Sequence, residues 1–316
     1  MLTDAPQFDT QQAGRIAREV FGIEGDALML PSERDQNFLL ASNGGEKFVL
    51  KIANRNEKRE VLEAQNAMLG HLEQRVSFCP RVVPGVSGET IVIATLGGCA
   101  KRLVRVVRHL EGVPLAKVEV QSQELLYDLG RKLGQLSAAL VEFDHPGAHR
   151  AFHWDLAQGV QVVRQFGPRI NTDWIRDLVL GFKVDCDLGK LRRSVIHGDA
   201  NDYNVLVEPE SNKVVGLIDF GDIVYSYTVG DLAIAVAYVV LGKKDPFAAA
   251  APVIEGYREQ FPLTKDELDA LWRLVRLRLC MSVAIAAYQQ EQQPNNEYLG
   301  ISQQLIAETL PRLMNS

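Results

Sequence analysis

The chain has 316 residues, a hydrophobic content of 47% and a formal net charge of −6. This length supports a large buried core divided over about two domains. An acidic chain without a basic block argues against nucleic acid or an anionic membrane as a partner.

The first third of the sequence is typical of a β-sheet with one helix. Short apolar runs separated by turn residues predict strands, and Asn43–Glu46 predicts a tight hairpin turn. Apolar residues at helical spacing predict a helix at Asn56–Arg75. The predicted strands are Ala27–Leu30, Asn37–Ser42, Lys47–Ala53, Thr90–Thr95 and Arg102–Leu110.

The sequence after Leu115 is mainly helical. Ser122–Phe143 predicts a long amphipathic helix, and residues 150–192 favour no single element. Strands are predicted within Val195–Val207 and around Val214–Phe220, followed by helices to the end. This organisation predicts an N-terminal lobe of residues 1–111 and a C-terminal lobe of residues 112–316.

Targeting and cysteine patterns are sparse. The first twenty residues lack a basic segment followed by an apolar one, so no signal peptide is expected. The longest apolar run, Leu232–Gly242, is too short to span a bilayer and predicts a buried helix. The four cysteines are scattered without a CxxC pair. These features favour a reducing, cytoplasmic location.

One constellation carries chemistry. Val195–Val207 reads VIHGDANDYNVLV, with Asn204 five residues after Asp199, and Asp219 of a DFGD sequence follows twenty residues after Asp199. A hairpin would bring Asn204 and Asp219 together, where amide and carboxylate oxygens could hold Mg²⁺ while Asp199 takes a proton from an attacking hydroxyl. Each half alone is more typical of a turn, but the pair in this order is the kinase signature.

A kinase also needs a lysine on a strand and an acidic partner on the next helix. Lys51 lies on the third predicted strand and would contact the nucleotide phosphates, although a strand lysine by itself is usually solvated. Glu57, Glu60 and Glu63 compete as its partner, and Glu63 is preferred because it lies beside apolar helix residues.

The loop Pro31–Phe38 stands where kinases cover the phosphates, but it has no glycine-rich motif. Ser32, Gln36 and Asn37, with backbone amides, could bind phosphate instead. An ordinary hydrophilic hairpin is an equal alternative.

The sequence resembles the aminoglycoside phosphotransferase and choline kinase superfamily over about Leu28–Leu299. HGDANDYN is similar to its H-G-D-x-x-x-x-N loop, and LIDFGD to its metal-binding segment. The likeness is greatest to hydroxylysine kinases, carried by LPSERDQNF, FVLKIAN, LEAQNAML, RLVRVVRHLEGVPLA, DFGDIVYSYTVGDLAIAVAYV and NNEYLG. It implies a two-lobed, protein kinase-like α+β fold, with an antiparallel-sheet N-lobe and a larger, mainly helical C-lobe.

The resemblance also implies supporting roles. The nucleotide base is expected at the backbone of the hinge Arg108–Gly112, through Arg108, His109 and Leu110. Asn201 stands where many aminoglycoside kinases have histidine and protein kinases have lysine, so one cationic phosphate contact is expected to be missing. The other supporting residues are His197, Asp222 beside the metal site, and Asp231 as a helix N-cap that holds the loop.

Acids and aromatics predict a small cationic acceptor. They are Trp154, Asp155, Asp202, Tyr203, Glu297 and Tyr298. For Trp154 and Asp155, a packed ring and a helix N-cap are the favoured alternative. Arg273, Arg276 and Arg278 could bind an acceptor carboxylate or could form surface ion pairs.

These features predict transfer of the γ-phosphoryl group of ATP or GTP to the hydroxyl of a small amino-bearing compound, with Mg²⁺ as cofactor. Hydroxylysine leads; ethanolamine, other amino alcohols, homoserine and aminoglycosides remain open. A protein kinase is disfavoured because only twelve residues separate Asp219 from Asp231, too few for an activation segment. A nucleotide-binding pseudokinase is disfavoured because Asp199, Asn204 and Asp219 are all present.

Overall fold

The computed structural model describes residues 7–32, 35–95, 101–293, 300 and 302–314. The chain forms two compact units. The first contains the chain up to Glu111 together with His145–Gly147, and the second contains Gly112–Asp144 and the chain from Ala148 onward.

The first unit is built on an antiparallel sheet in the order β1-β2-β3-β6-β4, with β5 paired to β6. The strands are β1 (Gly25–Leu30), β2 (Gln36–Ser42), β3 (Lys47–Ile52), β4 (Val82–Val83), β5 (Val92–Ala94) and β6 (Arg102–Arg108). Two helices accompany it, α1 (Thr10–Phe21) and α2 (Arg59–Glu73). The predicted hairpin between β2 and β3 is present at residues 43–46.

Alternation along the strands gives this sheet two different faces. On one face Phe38, Leu50 and Val106 are fully buried and form a core with α1. The opposite face carries polar residues from the same strands, and Arg105 on β6 donates hydrogen bonds to Gln65 and Asn66 of α2. The sheet is therefore apolar towards α1 and polar towards α2.

The second unit is mainly helical. Its strands are β7 (Val113–Pro114), β8 (Arg193–Ile196), β9 (Val205–Glu208), β10 (Lys213–Leu217) and β11 (Val224–Tyr227). Its helices are α3 (Gln123–Leu140), α4 (Gly159–Phe166), α5 (Asp173–Gly181), α6 (Gly230–Val239), α7 (Pro246–Gln260), α8 (Lys265–Gln292) and α9 (Gln303–Met314). The antiparallel pairs β9–β10 and β8–β11 position two functional loops, one after β8 and one after β10.

Two helices form the centre of this unit. Helix α6 is apolar on all sides and almost wholly buried, as the run Leu232–Gly242 predicts. Helix α8 begins with a capping box in which Thr264 and Glu267 exchange side-chain and backbone hydrogen bonds. No helix in the described ranges is long and apolar enough to cross a membrane.

The structure adds elements that the sequence left unassigned. Residues 150–192 contain α4 and α5 together with short 3₁₀ turns. Helix α1 was not predicted, although Asp9 and Gln12 form a capping box at its start.

Candidate active site

The Asp199 loop, defined as residues 197–204, connects β8 to β9, and its hydrogen bonds converge on Asp199. The Oδ2 atom of Asp199 accepts from the Nδ2 atoms of Asn201 at 2.9 Å and Asn204 at 2.8 Å. The Oδ1 atom accepts from Nη2 of Arg278 at 2.7 Å. An ionised carboxylate has about four lone-pair sites, so these three donors leave one for a further hydroxyl.

Asp231, in the first turn of α6, fixes the backbone of the Asp199 loop. Its two carboxylate oxygens accept the N–H groups of His197 at 2.9 Å and Gly198 at 2.8 Å. Burial raises the pKa of Asp231, while the neighbouring His197 and these two N–H groups act in the opposite direction. Val229 is the N-cap of α6, so the expected N-cap role of Asp231 is wrong, whereas its contact with the loop is present.

Gly198 allows the Asp199 loop to lie directly against the loop that follows β10. Its φ of +80° is in the left-handed region, and a Cβ atom there would collide with the backbone oxygen of Asp222. This close approach explains why glycine stands between His197 and Asp199.

The loop after β10, the Asp219 loop, is residues 218–223. The N–H of Ile218 donates to the Asn204 carbonyl at 2.9 Å, and Nε2 of His197 lies 3.0 Å from the Ile218 carbonyl. Because Nδ1 of His197 accepts the Asp199 N–H at 3.2 Å, Nε2 carries the proton and donates. Burial lowers the pKa of His197, which keeps this ring neutral. The two loops are therefore joined through His197 and Asn204.

The donor set at these loops fits a hard cation. Nδ2 of Asn204 is used by Asp199, so the Oδ1 atom is the one that can face a metal. Asp219 has the unusual backbone angle φ of 62° for a non-glycine residue. The described residues contain no group of three or more His, Cys, Asp or Glu placed to hold a metal. Kinase sites bind Mg²⁺ through one or two carboxylates and complete its shell with phosphate oxygens and water.

Burial has the largest effect on Asp199 and raises its pKa, and Asp222 and Asp219 act in the same direction. The Arg278 guanidinium and the Asn201 amide oppose this shift because they stabilise the ionised form. The pKa of the Asp199 carboxyl is therefore raised above its ordinary value.

Arg278 on α8, which the sequence grouped with Arg273 and Arg276, contacts Asp199 instead of forming a surface ion pair. Its side chain is 2% exposed, and its guanidinium carbon lies 4.5 Å from the Trp154 ring centroid and 5.7 Å from that of Tyr238. The apolar run Leu274–Met281 contains both Arg276 and Arg278, so the sequence alone does not tell which of the two is buried.

The other residues predicted to bind the acceptor have contacts or burial of their own within the protein. Asp155 accepts hydrogen bonds from the Ala157 N–H at 2.9 Å and from Ser226, so it caps a 3₁₀ turn. Trp154 packs beneath Arg278. Arg273 pairs with exposed Asp185. Burial and neighbouring Arg273 lower the pKa of partly buried Arg276.

Asp202 and Tyr203 belong to the Asp199 loop itself. The N–H of Tyr203 donates to Oδ1 of Asn201 at 2.8 Å. The Oδ1 atom of Asp202 is buried and has no hydrogen-bond partner within the described part of the chain. Burial raises the pKa of Asp202 to about 6. Glu297 and Tyr298 lie outside the described residues.

The face of the first unit's sheet that is turned towards α2 carries Lys51; we call this the Lys51 face. Asn37, Lys51 and Arg105 are directly opposite one another on β2, β3 and β6, so their side chains lie side by side. The Oδ1 atom of Asn37 is buried without a hydrogen-bond partner among the described residues. Glu63 on α2 pairs with Arg59 at 3.5 Å and is half-exposed.

Of the remaining residues predicted to bind the nucleotide, some already have hydrogen-bond partners within the protein and others are exposed. The side-chain amide of Gln36 bonds both the N–H and the carbonyl of Phe8 at 2.8 Å, and Ser32 is exposed. The backbone N–H groups of Arg108 and His109 donate to the carbonyls of Arg81 and Lys47. No backbone hydrogen bond involves Leu110 within the ranges that the structure describes.

Comparison with known proteins identifies the family. Residues 29–271 match the model of the phosphotransferase enzyme family. The chain belongs to this family. The match spans the Lys51 strand and both the Asp199 and Asp219 loops, as the resemblance predicted.

Near-full-length relatives agree with this assignment. The chain is 30% identical to hydroxylysine kinase of Danio rerio over 98% of this chain and 92% of that protein. It is 32% identical to hydroxylysine kinase of Mus musculus over 94% of this chain and 87% of that protein. The chain is a phosphotransferase with an alcohol group as acceptor, a small-molecule kinase.

Solved structures confirm the predicted protein kinase-like α+β fold. Amicoumacin kinase hAmiN, in complex with AMP-PNP, Ca²⁺ and its ligand, matches with a TM-score of 0.71 at 15% identity, over 96% of this chain and 94% of that one. A microcompartment-associated aminopropanol kinase matches with a TM-score of 0.69 at 18% identity, over 95% and 94% of the two chains.

Proposed function

We propose that this kinase transfers the γ-phosphoryl group of ATP or GTP to the hydroxyl of a small amino-bearing compound, with hydroxylysine as the leading acceptor. The observation that carries the proposal is the Asp199 carboxylate, fixed by Asn201, Asn204 and Arg278 with one lone-pair site remaining. The relatives named hydroxylysine kinase support this acceptor.

In this proposal Asp199 orients the acceptor hydroxyl and takes its proton as the oxygen attacks the γ-phosphorus. Oδ1 of Asn204 and the carboxylate of Asp219 hold the metal. A bound Mg²⁺ supplies positive charge that offsets the phosphate oxygens. His197 joins the two loops, Asp231 fixes the backbone of the Asp199 loop, and Asp222 lies beside the metal site.

The first unit serves as the nucleotide-binding lobe, residues 1–111, and the remaining chain as the catalytic lobe. Lys51 contacts the phosphates, and the nucleotide base bonds to the hinge. Leu110 is the favoured hinge contact because the N–H groups of Arg108 and His109 already donate to carbonyls. Asn37 is favoured over Gln36 as a further phosphate-side contact because the Gln36 amide binds Phe8. Glu63 remains the proposed partner of Lys51.

The acceptor's amine binds near Asp202. Lys243 is near enough to favour the charge of Asp202, but the buried Oδ1 atom has no hydrogen-bond partner among the described residues, and an ammonium would satisfy it. Tyr203, next in the loop, offers an aromatic ring for the same cation.

A nucleotide-consumption screen tests the function. The acceptors are hydroxylysine, its decarboxylated analogue, ethanolamine, 1-amino-2-propanol, choline, homoserine, an aminoglycoside and a neutral sugar, each with ATP and with GTP. We expect the highest kcat/KM for hydroxylysine and a strong loss on N-acetylation of its amines. Equal use of a neutral sugar would remove the amine requirement, and no turnover with any acceptor would favour a pseudokinase.

A further inference from the structure

We infer that Arg278 is a positioning residue that holds the Asp199 carboxylate in the orientation needed for proton transfer. This inference rests on the proposed role of Asp199 as the base. Nη2 of Arg278 donates to Oδ1 of Asp199 at 2.7 Å, and Nη1 donates to the Trp154 carbonyl at 3.3 Å. The second bond anchors the guanidinium to the protein backbone, so the first fixes Asp199 relative to a rigid element.

The surroundings restrict the guanidinium further. It lies over the Trp154 ring, with the Tyr238 ring of α6 also nearby, so two aromatic side chains limit its movement. Its Nε atom is buried with no hydrogen-bond partner among the described residues. A buried arginine with one unsatisfied N–H destabilises the folded protein. An apolar side chain at this position would avoid that cost. Packing alone therefore does not explain an arginine at this position, whereas its hydrogen bond to Asp199 does.

Arg278 also determines which lone pair of the Asp199 carboxylate remains available to an acceptor hydroxyl. Asn201 and Asn204 hold Oδ2 and Arg278 holds Oδ1, so without Arg278 the Oδ1 atom loses this hydrogen bond and the carboxylate can rock about its Cβ–Cγ bond. Asp219 and Asp222 are both close enough to disfavour its charge. Arg278 opposes both effects, since it supplies a fixed donor and the positive charge on that side.

Helix α8 offers a matched contrast. Arg169 pairs with Glu291 near the C-terminal end of α8, and both side chains are more than 40% exposed. An exposed pair of this kind contributes little to stability. Arg169→Gln is therefore the control for loss of an arginine–carboxylate contact with this helix.

The test compares Arg278→Gln, Arg278→Lys and Arg169→Gln with the unaltered enzyme, using hydroxylysine and its decarboxylated analogue as acceptors. For Arg278→Gln we expect kcat to fall about 100-fold for both acceptors, the loss typical of a misplaced catalytic group. The acceptor KM and the nucleotide Kd from calorimetry should change little by comparison. The melting temperature should fall because Asp199 loses a buried cation, so rates are measured well below it. Arg278→Lys keeps the charge without the planar fork and should recover part of kcat. Arg169→Gln should match the unaltered enzyme.

Three results would overturn the inference. Unchanged kcat in both Arg278 variants would show that Asp199 needs no such support. A rise in KM for hydroxylysine alone would instead make Arg278 a contact for the acceptor carboxylate. If both variants lose kcat only at temperatures where they begin to unfold, Arg278 has a structural role. Asp199→Ala separates the hypotheses: if it remains active, the proposed base is wrong, whatever Arg278 does.

Discussion

The Asp199 loop and the Lys51 face both carry predicted site residues, but their side chains are fixed in different ways. In the loop, Asp199 accepts three side-chain hydrogen bonds, and two of the donors come from within five residues of it. On the Lys51 face, Asn37, Lys51 and Arg105 come from three strands and are placed side by side by strand register, and Arg105 also bonds to α2. The loop is therefore mostly a local structure, whereas the face depends on the whole sheet.

This difference matches the roles proposed for the two regions. A chemical step requires a base held within a fraction of an ångström, which short-range hydrogen bonds provide. Phosphate binding depends more on charge, which acts over longer distances and tolerates looser geometry. We expect substitutions in the loop to lower kcat and substitutions on the face to raise the nucleotide KM.

The largest effect is expected for Asp199→Asn, which removes the base and keeps the size of the side chain. The kcat should fall about 100- to 10,000-fold, the usual contribution of a general base. Nucleotide affinity, measured by calorimetry, should be retained. A variant that keeps kcat and loses nucleotide binding would reverse the assignment of chemistry to the loop.

Asp219→Asn tests whether Asp219 binds the metal. The Mg²⁺ concentration that gives half-maximal activity should rise at least about 10- to 100-fold, the range typical when even a metal's outer partners are altered. A Mg²⁺ titration of initial rates measures this directly, with Asp185→Asn as a surface-carboxylate control. An unchanged titration curve would count against direct coordination by Asp219.

Lys51→Met tests whether the Lys51 face binds the nucleotide phosphates. Loss of a charged hydrogen bond to phosphate of about 1.5–3 kcal/mol corresponds to a rise of about 10- to 100-fold in the nucleotide KM. Steady-state rates at varied ATP and GTP provide the measurement. If kcat falls while the nucleotide KM stays constant, the face takes part in chemistry and the contrast between the two regions fails.

The smallest effect is expected for Arg273→Gln. Because Arg273 pairs with an exposed aspartate, its loss should change the free energy of unfolding by less than about 1 kcal/mol. Urea denaturation measures the change, and acceptor KM should stay the same. A clear rise in KM for acceptors that carry a carboxylate would restore Arg273 to the acceptor site.

The fold class and family could be predicted because their signals are local. Asp199, Asn204 and Asp219 stand at fixed spacings around short strands, and the hairpin residues between β2 and β3 are strong turn formers. Helix α1 also had a readable start at Asp9 and Gln12, so its omission was a missed capping box.

The contact between Arg278 and Asp199 could not be predicted in the same way. Arg278 is 79 residues from Asp199 in the sequence, and α8 offers Arg273 and Arg276 as competitors. Which arginine reaches the loop depends on the rotation of α8 about its axis, and this is set by packing across the unit. Asp155 illustrates the same limit, because its partner Ser226 is 71 residues away.

The contact between Asp231 and the Asp199 loop has a consequence for hydrogen exchange. The His197 and Gly198 amides are bonded to a carboxylate on the most deeply buried helix of the second unit. Neither amide can meet solvent while α6 stays packed, although loop amides usually exchange through small local openings. Their exchange should therefore require the cooperative unfolding of this unit. The catalytic machinery would then persist intact until the unit melts, with activity and tertiary structure lost together on heating.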